Sequence, residues 1–436
     1  MPAHYHPLGI LDYTTKTALR KLQWEKFSAT LEHVYRNVAW YRNKLQEKGV
    51  QPSEIRGLED LHKLPFMVKT DLRDTYPTGL FAVKQNEIVR LHASSGTTGK
   101  PIVCAYTQGD IEIWKEVVMR ALSAFGLSVG DILQNSYGYG LFTGGLGLHY
   151  GAEALGLTVI PVSGGNTERQ IMFLRDFGVT AISCTPSYFI HLLDIAQQMQ
   201  VDFKELPLKV GIFGAEPWTE EMRQVIQSKT NLKAYDIYGL TEISGPGVGA
   251  ECVHQNGTHI FEDHFYPEIV DPDTLEPVPD GKDGELVFTT LDKRGMPLIR
   301  YRTRDITRLF EDECPCGRTI RRMKKISHRS DDMFIIRGVN VFPGQIESAL
   351  LAVEGDLPHY QIILTRDQGL DNVEVQVEIP PNLIGDTIRE VEQLQSMIHK
   401  KIEMTIGIRA KVTLMEPNRI PRSEGKAKRV IDQRTI

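Results

Sequence analysis

The chain has 436 residues, 41% of them hydrophobic and 24% charged, with a formal net charge of −6. These values fit a globular protein large enough for two domains and exclude wholesale disorder. The mildly acidic balance argues against a nucleic-acid partner. Residues 1–8 lack a secretory leader and no apolar run reaches about eighteen residues, so a cytoplasmic protein with no membrane partner is expected.

Residues 10–50 read as helices, because Leu19, Leu22, Phe27, Leu31 and Val34 recur at helical spacing between charges. From about 85 to 310, short apolar runs alternate with helical ones: 181–184, 188–196, 210–213 and 220–227 in turn. That alternation predicts α/β architecture. Turn-rich segments at 271–273 and 279–284 flank a strand-like run, Gly284–Thr290, and predict an antiparallel, barrel-like portion. The last hundred residues change character, with helices at 345–353 and 387–402 and strands at 360–365, 373–379 and 410–414. A β-α-β-β-α-β order predicts a small α+β domain. The expected division is a larger domain, 1–330, and a smaller C-terminal one, 331–436.

The sharpest local signal is S-S-G-T-T-G-K-P at 94–101, between strand-like runs at 88–91 and 102–106. Glycines let a backbone approach an anion closely, while Ser94, Ser95, Thr97 and Thr98 and the amides of Gly96 and Gly99 supply donors. A polyphosphate is the natural ligand; a Ser/Gly turn is the bland alternative. The Walker A pattern fails, since two residues separate the glycines and Pro101 follows Lys100. The loop resembles that of the adenylate-forming superfamily of acyl-CoA synthetases, luciferases and adenylation domains.

Further motifs of that superfamily follow in order. G-A-E-P, comprising Gly214, Ala215, Glu216 and Pro217, resembles the segment whose backbone borders adenine. Y-G-L-T-E at 238–242 resembles the central motif. The resemblance implies that Tyr238 stacks on adenine beside Gly239, Thr241 binds the α-phosphate and Glu242 holds Mg²⁺, with Asp236 in the nucleotide-binding set. In Y-R-T-R-D, Asp305 stands like the carboxylate that accepts both ribose hydroxyls. In H-R-S-D-D-M, Arg329 lies near ribose and phosphate and Asp331 is the hinge, although His328 replaces the usual glycine. R-S-E-G-K-A-K-R at 422–429 resembles the C-terminal lysine motif, and alignment on Gly425 implies Lys426 as the catalytic lysine in preference to Lys428.

The loop order Gly99-Lys100-Pro101, the small C-terminal domain, and the stretches at 136–153, 262–269 and 337–347 are similar to the phenylacetate–CoA ligase family over nearly the whole chain. The similarity implies AMP-forming ligation of an aryl-acetic acid to coenzyme A, with Arg337, Gly338, Val339 and Asn340 presented to the pantetheine. Tyr137, Tyr139 and Phe142, set among glycines, are the candidate lining of a flat acid pocket; core packing is the rival reading. The partners expected are the acid, ATP and coenzyme A, with a homodimer left open. Other aromatic acids, a deazaflavin cofactor, or an inactive ATP-binding regulator are the alternative readings.

Five cysteines argue against a disulfide framework. Cys314-Pro-Cys316 brings two thiolates together, with Cys252 upstream and His254, His259 and His264 nearby. The preferred set is Cys252, His259, Cys314 and Cys316 around a structural zinc, against a reading as free thiols. Cys104 and Cys184 lie in apolar runs and are expected in the core.

Overall fold

The computed structural model describes residues 7–94, 101–310, 312–326, 328–330, 332–336, 339–354, 359–367, 370–379, 388–422 and 427–434. An eight-stranded sheet organises the larger lobe. Its strands run, across the sheet, Arg322–Met323, Thr258–Ile260, Gly245–Ala250, Lys233–Leu240, Val210–Gly214, Ala181–Cys184, Ile132–Asn135 and Thr158–Ile160. From Lys233–Leu240 to Thr158–Ile160 neighbours are parallel, and the first three strands continue antiparallel. The parallel strands are almost continuously buried: Ala181–Cys184 and Val210–Gly214 have no exposed residue. Strands covered on both faces select such unbroken apolar runs, and the predicted α/β alternation follows from that cover.

The second sheet is antiparallel, in the order Phe265–Val270, Gly284–Thr290, Tyr301–Thr307 and His328–Arg329. The helices Lys16–Asn37 and Ala39–Lys48 pack against this part of the lobe. Thr15 caps the first, accepting from the Ala18 amide at 3.2 Å, and its apolar stripe buries Phe27, Leu31 and Val34. Polar tips complete the seam: Thr30 Oγ1 donates to the Leu291 carbonyl at 2.6 Å and Tyr41 Oη to that of Pro297 at 3.0 Å.

A buried ionic network ties the chain's start to this seam. Arg120 donates to Asp263 at 2.9 Å and to Asp12, and Arg318 reaches Asp12 at 3.2 Å. His264 has carboxylates at both ring nitrogens, Asp263 at 3.1 Å and Asp292 at 2.9 Å, and Lys26 completes the row 2.7 Å from Asp292. Burial alone would lower the imidazole pKa, but Asp263 and then Asp292 raise it to about 9. Because the folded value exceeds the ordinary one of about 6.5, the stabilisation is complete below about pH 6.5 and is lost as pH rises through 9. A His264→Gln variant is therefore expected to fall furthest below the parent near pH 6.5. The gap in denaturation midpoints should narrow by pH 9.5, and a gap that widens would refute this charge state.

The smaller lobe holds a hairpin, Phe334–Ile336 with Val339–Val341, then helix Pro343–Glu354, strands Tyr360–Asp367 and Leu370–Glu378, helix Ile388–Ile406 and strand Lys411–Met415. The sheet departs from the expected order. Among the described residues, no strand preceding the first helix joins it; instead the C-terminal strand Val430–Asp432 lies parallel to Tyr360–Asp367 at the edge. Ile362, Leu364, Val375, Ile398 and Ile402 form the core of this lobe. The two lobes touch: Leu351 is buried in an N-terminal-lobe cluster, and His359 Nε2 lies 2.7 Å from Asp194 Oδ2.

Candidate active site

The segment expected to bind phosphate begins and ends in an antiparallel hairpin, Arg90–Ser94 with Ile102–Tyr106, whose last pair is Ser94 with Ile102. The first strand begins two residues later than expected, because the pairing register carries it to the loop's edge. Ser95, Gly96, Thr97, Thr98, Gly99 and Lys100 lie outside the described residues.

The other site segments leave neighbouring strands at one end of the large sheet. Val210–Gly214 ends where a Cβ on Gly214 would come within 2.3 Å of the Ile237 carbonyl. Ala215 then takes a left-handed φ of 70°, turning the chain out of the sheet. Asp236 lies beneath, accepting from Trp218 Nε1 at 2.7 Å. On the adjacent strand the register shifts between Tyr238 and Gly239, and a Cβ on Gly239 would sit 1.8 Å from the Gly245 carbonyl. Glycine is required there, which explains the motif's Tyr-Gly pair. The turn that follows carries Thr241 and Glu242, each only 6% exposed.

Buried groups hold that turn from behind. Thr143 Oγ1 is 3.3 Å from Thr241 Oγ1, and Tyr106 Oη donates to the Thr241 carbonyl at 3.4 Å. Lys293 Nζ donates to the Ile243 carbonyl at 2.7 Å and lies 4.4 Å from the Tyr106 ring centroid. Burial lowers the pKa of this lysine. Lys69 Nζ stands 3.9 Å from Glu242 Oε1 at the mouth. Sequence reasoning missed Thr143, Lys69 and Lys293, since each is distant from the motif it supports and carries no spacing signal.

Asp305 is the meeting point of two segments. Its Oδ2 accepts from Tyr238 Oη at 2.5 Å and its Oδ1 from Arg329 Nη1 at 3.0 Å. The second contact follows from strand pairing, which sets Asp305 opposite Arg329. His328 pairs with Ile306 in extended backbone and packs 3.8 Å from the Phe342 ring, so no glycine is needed at this place. Asp331, Arg337, Gly338 and Lys426 lie outside the described residues. Val339 and Asn340 belong to the hairpin strand, opposite Ile336 and Ile335.

The three candidate pocket aromatics occupy different environments. Tyr137 is buried, its hydroxyl donating to the carbonyls of Cys184 at 2.7 Å and Gly214 at 3.2 Å. Tyr139 is half-buried, its hydroxyl contacting Asn135 Nδ2 at 2.8 Å and His149 Nδ1 at 3.1 Å. Phe142, also half-buried, closes over Gly144, where a Cβ would meet its ring at 2.8 Å.

Beyond the far end of the strand Gly245–Ala250, the four sulfur and nitrogen groups converge. The ligand atoms of Cys252, His259, Cys314 and Cys316 all lie within 4.8 Å of one another, and all four residues are buried. Cys252 Sγ is 3.7 Å from Cys314 Sγ, and Cys316 Sγ is 3.4 Å from His259 Nε2. A tetrahedral zinc with Zn–S near 2.3 Å has sulfur–sulfur edges of about 3.8 Å and sulfur–nitrogen edges of about 3.6 Å. The donor set therefore fits that metal. His254 is exposed and His264 belongs to the ionic network, which leaves His259 as the imidazole of the set. A further grouping, Glu116 with Asp263 and His264, already faces the Arg120 guanidinium.

Comparison with known proteins agrees with this architecture. Residues 14–290 match the family model of the AMP-binding enzymes and residues 338–434 that of the AMP-binding enzyme C-terminal domain. The chain is an adenylate-forming enzyme. It is 51% identical to the phenylacetate–coenzyme A ligase of Thermus thermophilus over 97% of this chain and 98% of that one. Against the phenylacetate–coenzyme A ligase of Escherichia coli K12 it is 50% identical, over 96% and 95%. The chain thus belongs to the phenylacetate–coenzyme A ligase family.

Among solved structures, 2-hydroxyisobutyryl-CoA ligase in its post-adenylation state superposes with a TM-score of 0.91 at 29% identity, over 97% of this chain and 91% of that one. The same ligase with coenzyme A in its thioesterification state gives 0.73, at 30% identity over 99% and 94%. The two lobes here stand in the former arrangement.

Proposed function

We propose that the protein joins phenylacetate, or a close aryl-acetic acid, to coenzyme A through an acyl-adenylate. The observation that carries this reading is the full-length identity of about half to phenylacetate–CoA ligases, on a chain whose Tyr238, Asp305 and Arg329 are joined at one site.

A carboxylate is a poor acyl donor, because its leaving group would be oxide. Attack by its oxygen on the α-phosphorus of ATP forms the mixed anhydride and expels pyrophosphate. The sulfur of coenzyme A then attacks the acyl carbon, the thioester forms, and AMP leaves. In the first step two anions must approach. Thr241 and the loop at 94–99 offer donors to phosphate oxygens, Lys426 bridges carboxylate and phosphate, and the Asp305 carboxylate takes the ribose diol. Mg²⁺ on Glu242 supplies charge neutralisation when bound. The second step needs Lys426 out of the thiol's path, so the lobe beginning at 331 turns about Asp331 and brings 337–340 to the thiol. Cys252, His259, Cys314 and Cys316 would hold zinc as a closed set of four protein ligands, a structural rather than catalytic role.

The test is acid-dependent pyrophosphate exchange followed by coenzyme A-dependent AMP release over a panel of aryl and alkyl acids. Phenylacetate or a near analogue is expected to give the highest kcat/KM. Exchange without thioester formation would favour a different acceptor, and no exchange with any acid would overturn the enzymatic reading.

A further inference from the structure

Glu216 lies in the segment proposed to border adenine through its backbone, yet its carboxylate faces elsewhere. The left-handed turn at Ala215 directs it away from the sheet. Oε1 accepts from the Ser187 amide at 2.8 Å. That amide is in the first turn of helix Pro186–Gln198, whose cap, Thr185, accepts from the Tyr188 amide. Charge on the carboxylate suits a helix N-terminus, where unpaired amides point outward. Oε2 accepts from the Ala427 amide, across the lobe boundary, at 2.9 Å. One carboxylate therefore joins amides of the two lobes, and the second amide belongs to the residue after Lys426. Beside this bond the smaller lobe contributes Arg429, whose guanidinium lies 4.4 Å from the Tyr360 ring centroid, while Tyr360 Oη donates to Glu347 at 2.7 Å.

We infer that the Glu216 side chain is a positioning group for the lysine loop: it holds the Ala427 amide against the larger lobe for adenylation and lets go of it for thioester formation. Glu216 is fixed to the larger lobe and Ala427 to the smaller, so the bond exists only in one arrangement of the two. That arrangement matches a post-adenylation structure at TM-score 0.91 and a thioesterification structure at only 0.73. The inference rests on the reading of Lys426 as the adenylating lysine.

The experiment compares the parent with Glu216→Ala and Glu216→Gln in two half-reactions, acid-dependent pyrophosphate exchange and thioester formation from supplied phenylacetyl-adenylate. Hydrogen bonds to a charged group are worth about 10- to 100-fold. The ratio of the exchange rate to the thioester-forming rate is expected to fall by about that factor in Glu216→Ala. Glutamine has a single acceptor oxygen for two amides, and its ratio should fall between. A second readout needs no substrate: tryptic cleavage at 422–429 should be faster in both variants, because the segment is less firmly held. A side chain that served only the fold or adenine would depress both half-reactions together, since both require bound adenylate. An unchanged ratio overturns the inference, and so does unchanged tryptic cleavage. Should the parent show no acid-dependent exchange, the functional reading fails on its own, and the tryptic comparison still decides the contact.

Discussion

Asp305→Ala is expected to lower kcat/KM for ATP by about 10²–10³-fold, most of it in KM, because the lost interactions are made with the nucleotide both before and during reaction. The carboxylate offers about four acceptor directions. Tyr238 donates to one oxygen and Arg329 to the other, which orients the carboxylate proposed to accept from the ribose hydroxyls. Removing it also orphans the buried Tyr238 hydroxyl. Asp305→Asn separates the roles: it keeps the size but places an NH₂ donor where either the ribose or Arg329 requires an acceptor. Its loss is expected to approach that of alanine. An alanine variant within threefold of the parent in ATP titrations would remove Asp305 from the ribose site.

The second large effect concerns the sulfur and nitrogen cluster. Protein purified without a histidine tag is expected to carry close to one equivalent of zinc by emission spectroscopy, and less than about half would count against the site. Structural zinc contributes about 10–16 kcal/mol of apparent binding energy in peptides that fold around it. Here the supporting strands are also held by the hydrophobic core, so the cost of losing it is smaller, several kcal/mol. Cys314→Ser should lower the unfolding midpoint by at least about 5 °C. Cys104→Ser, at a buried cysteine of the hairpin strand outside the cluster, serves as the packing control. A metal held there would clip the loop at 314–316 to the strand Thr258–Ile260 and the residues after Gly245–Ala250. That strand spans about 20 Å between cluster and Glu242, so folded variant should retain acid-dependent exchange. Loss of zinc with no change in midpoint would sink the structural role.

Much of this was legible in the sequence, for a physical reason. Helices Lys16–Asn37 and Pro186–Gln198 show because their apolar positions repeat locally, and the motif at 238–242 shows because a bulge, a close backbone approach and a turn impose residue types at adjacent positions. The cysteine set could be read because few residue types bind zinc. What stayed hidden depends on partners distant in sequence. Val430–Asp432 has three residues and no alternation, and becomes a strand only because Tyr360–Asp367 offers it an edge. Arg120 looks like an ordinary helical arginine until Asp12 and Asp263 arrive from either side. Lys293 shows no pattern, since its function is to fill a space beneath a turn some fifty residues upstream. Tyr137 could be recognised as an aromatic among glycines, but the two carbonyls that bind its hydroxyl lie in other strands.

The C-terminal strand has a consequence for the pace of turnover. On one side of the lysine segment, Glu378 accepts from the Ile420 amide and from Arg422 at 2.6 Å each. On the other, the Arg429 carbonyl accepts from the Ile362 amide at 2.7 Å, where Val430–Asp432 joins the sheet. Both flanks, at 420–422 and at 429–432, are thus bonded to the same small lobe. On the proposed mechanism, Lys426 reaches and leaves the site together with the whole lobe of roughly a hundred residues. The exchange between the two chemical steps is then governed by solvent friction on a whole lobe, and added viscogen should slow the complete cycle while leaving pyrophosphate exchange nearly untouched.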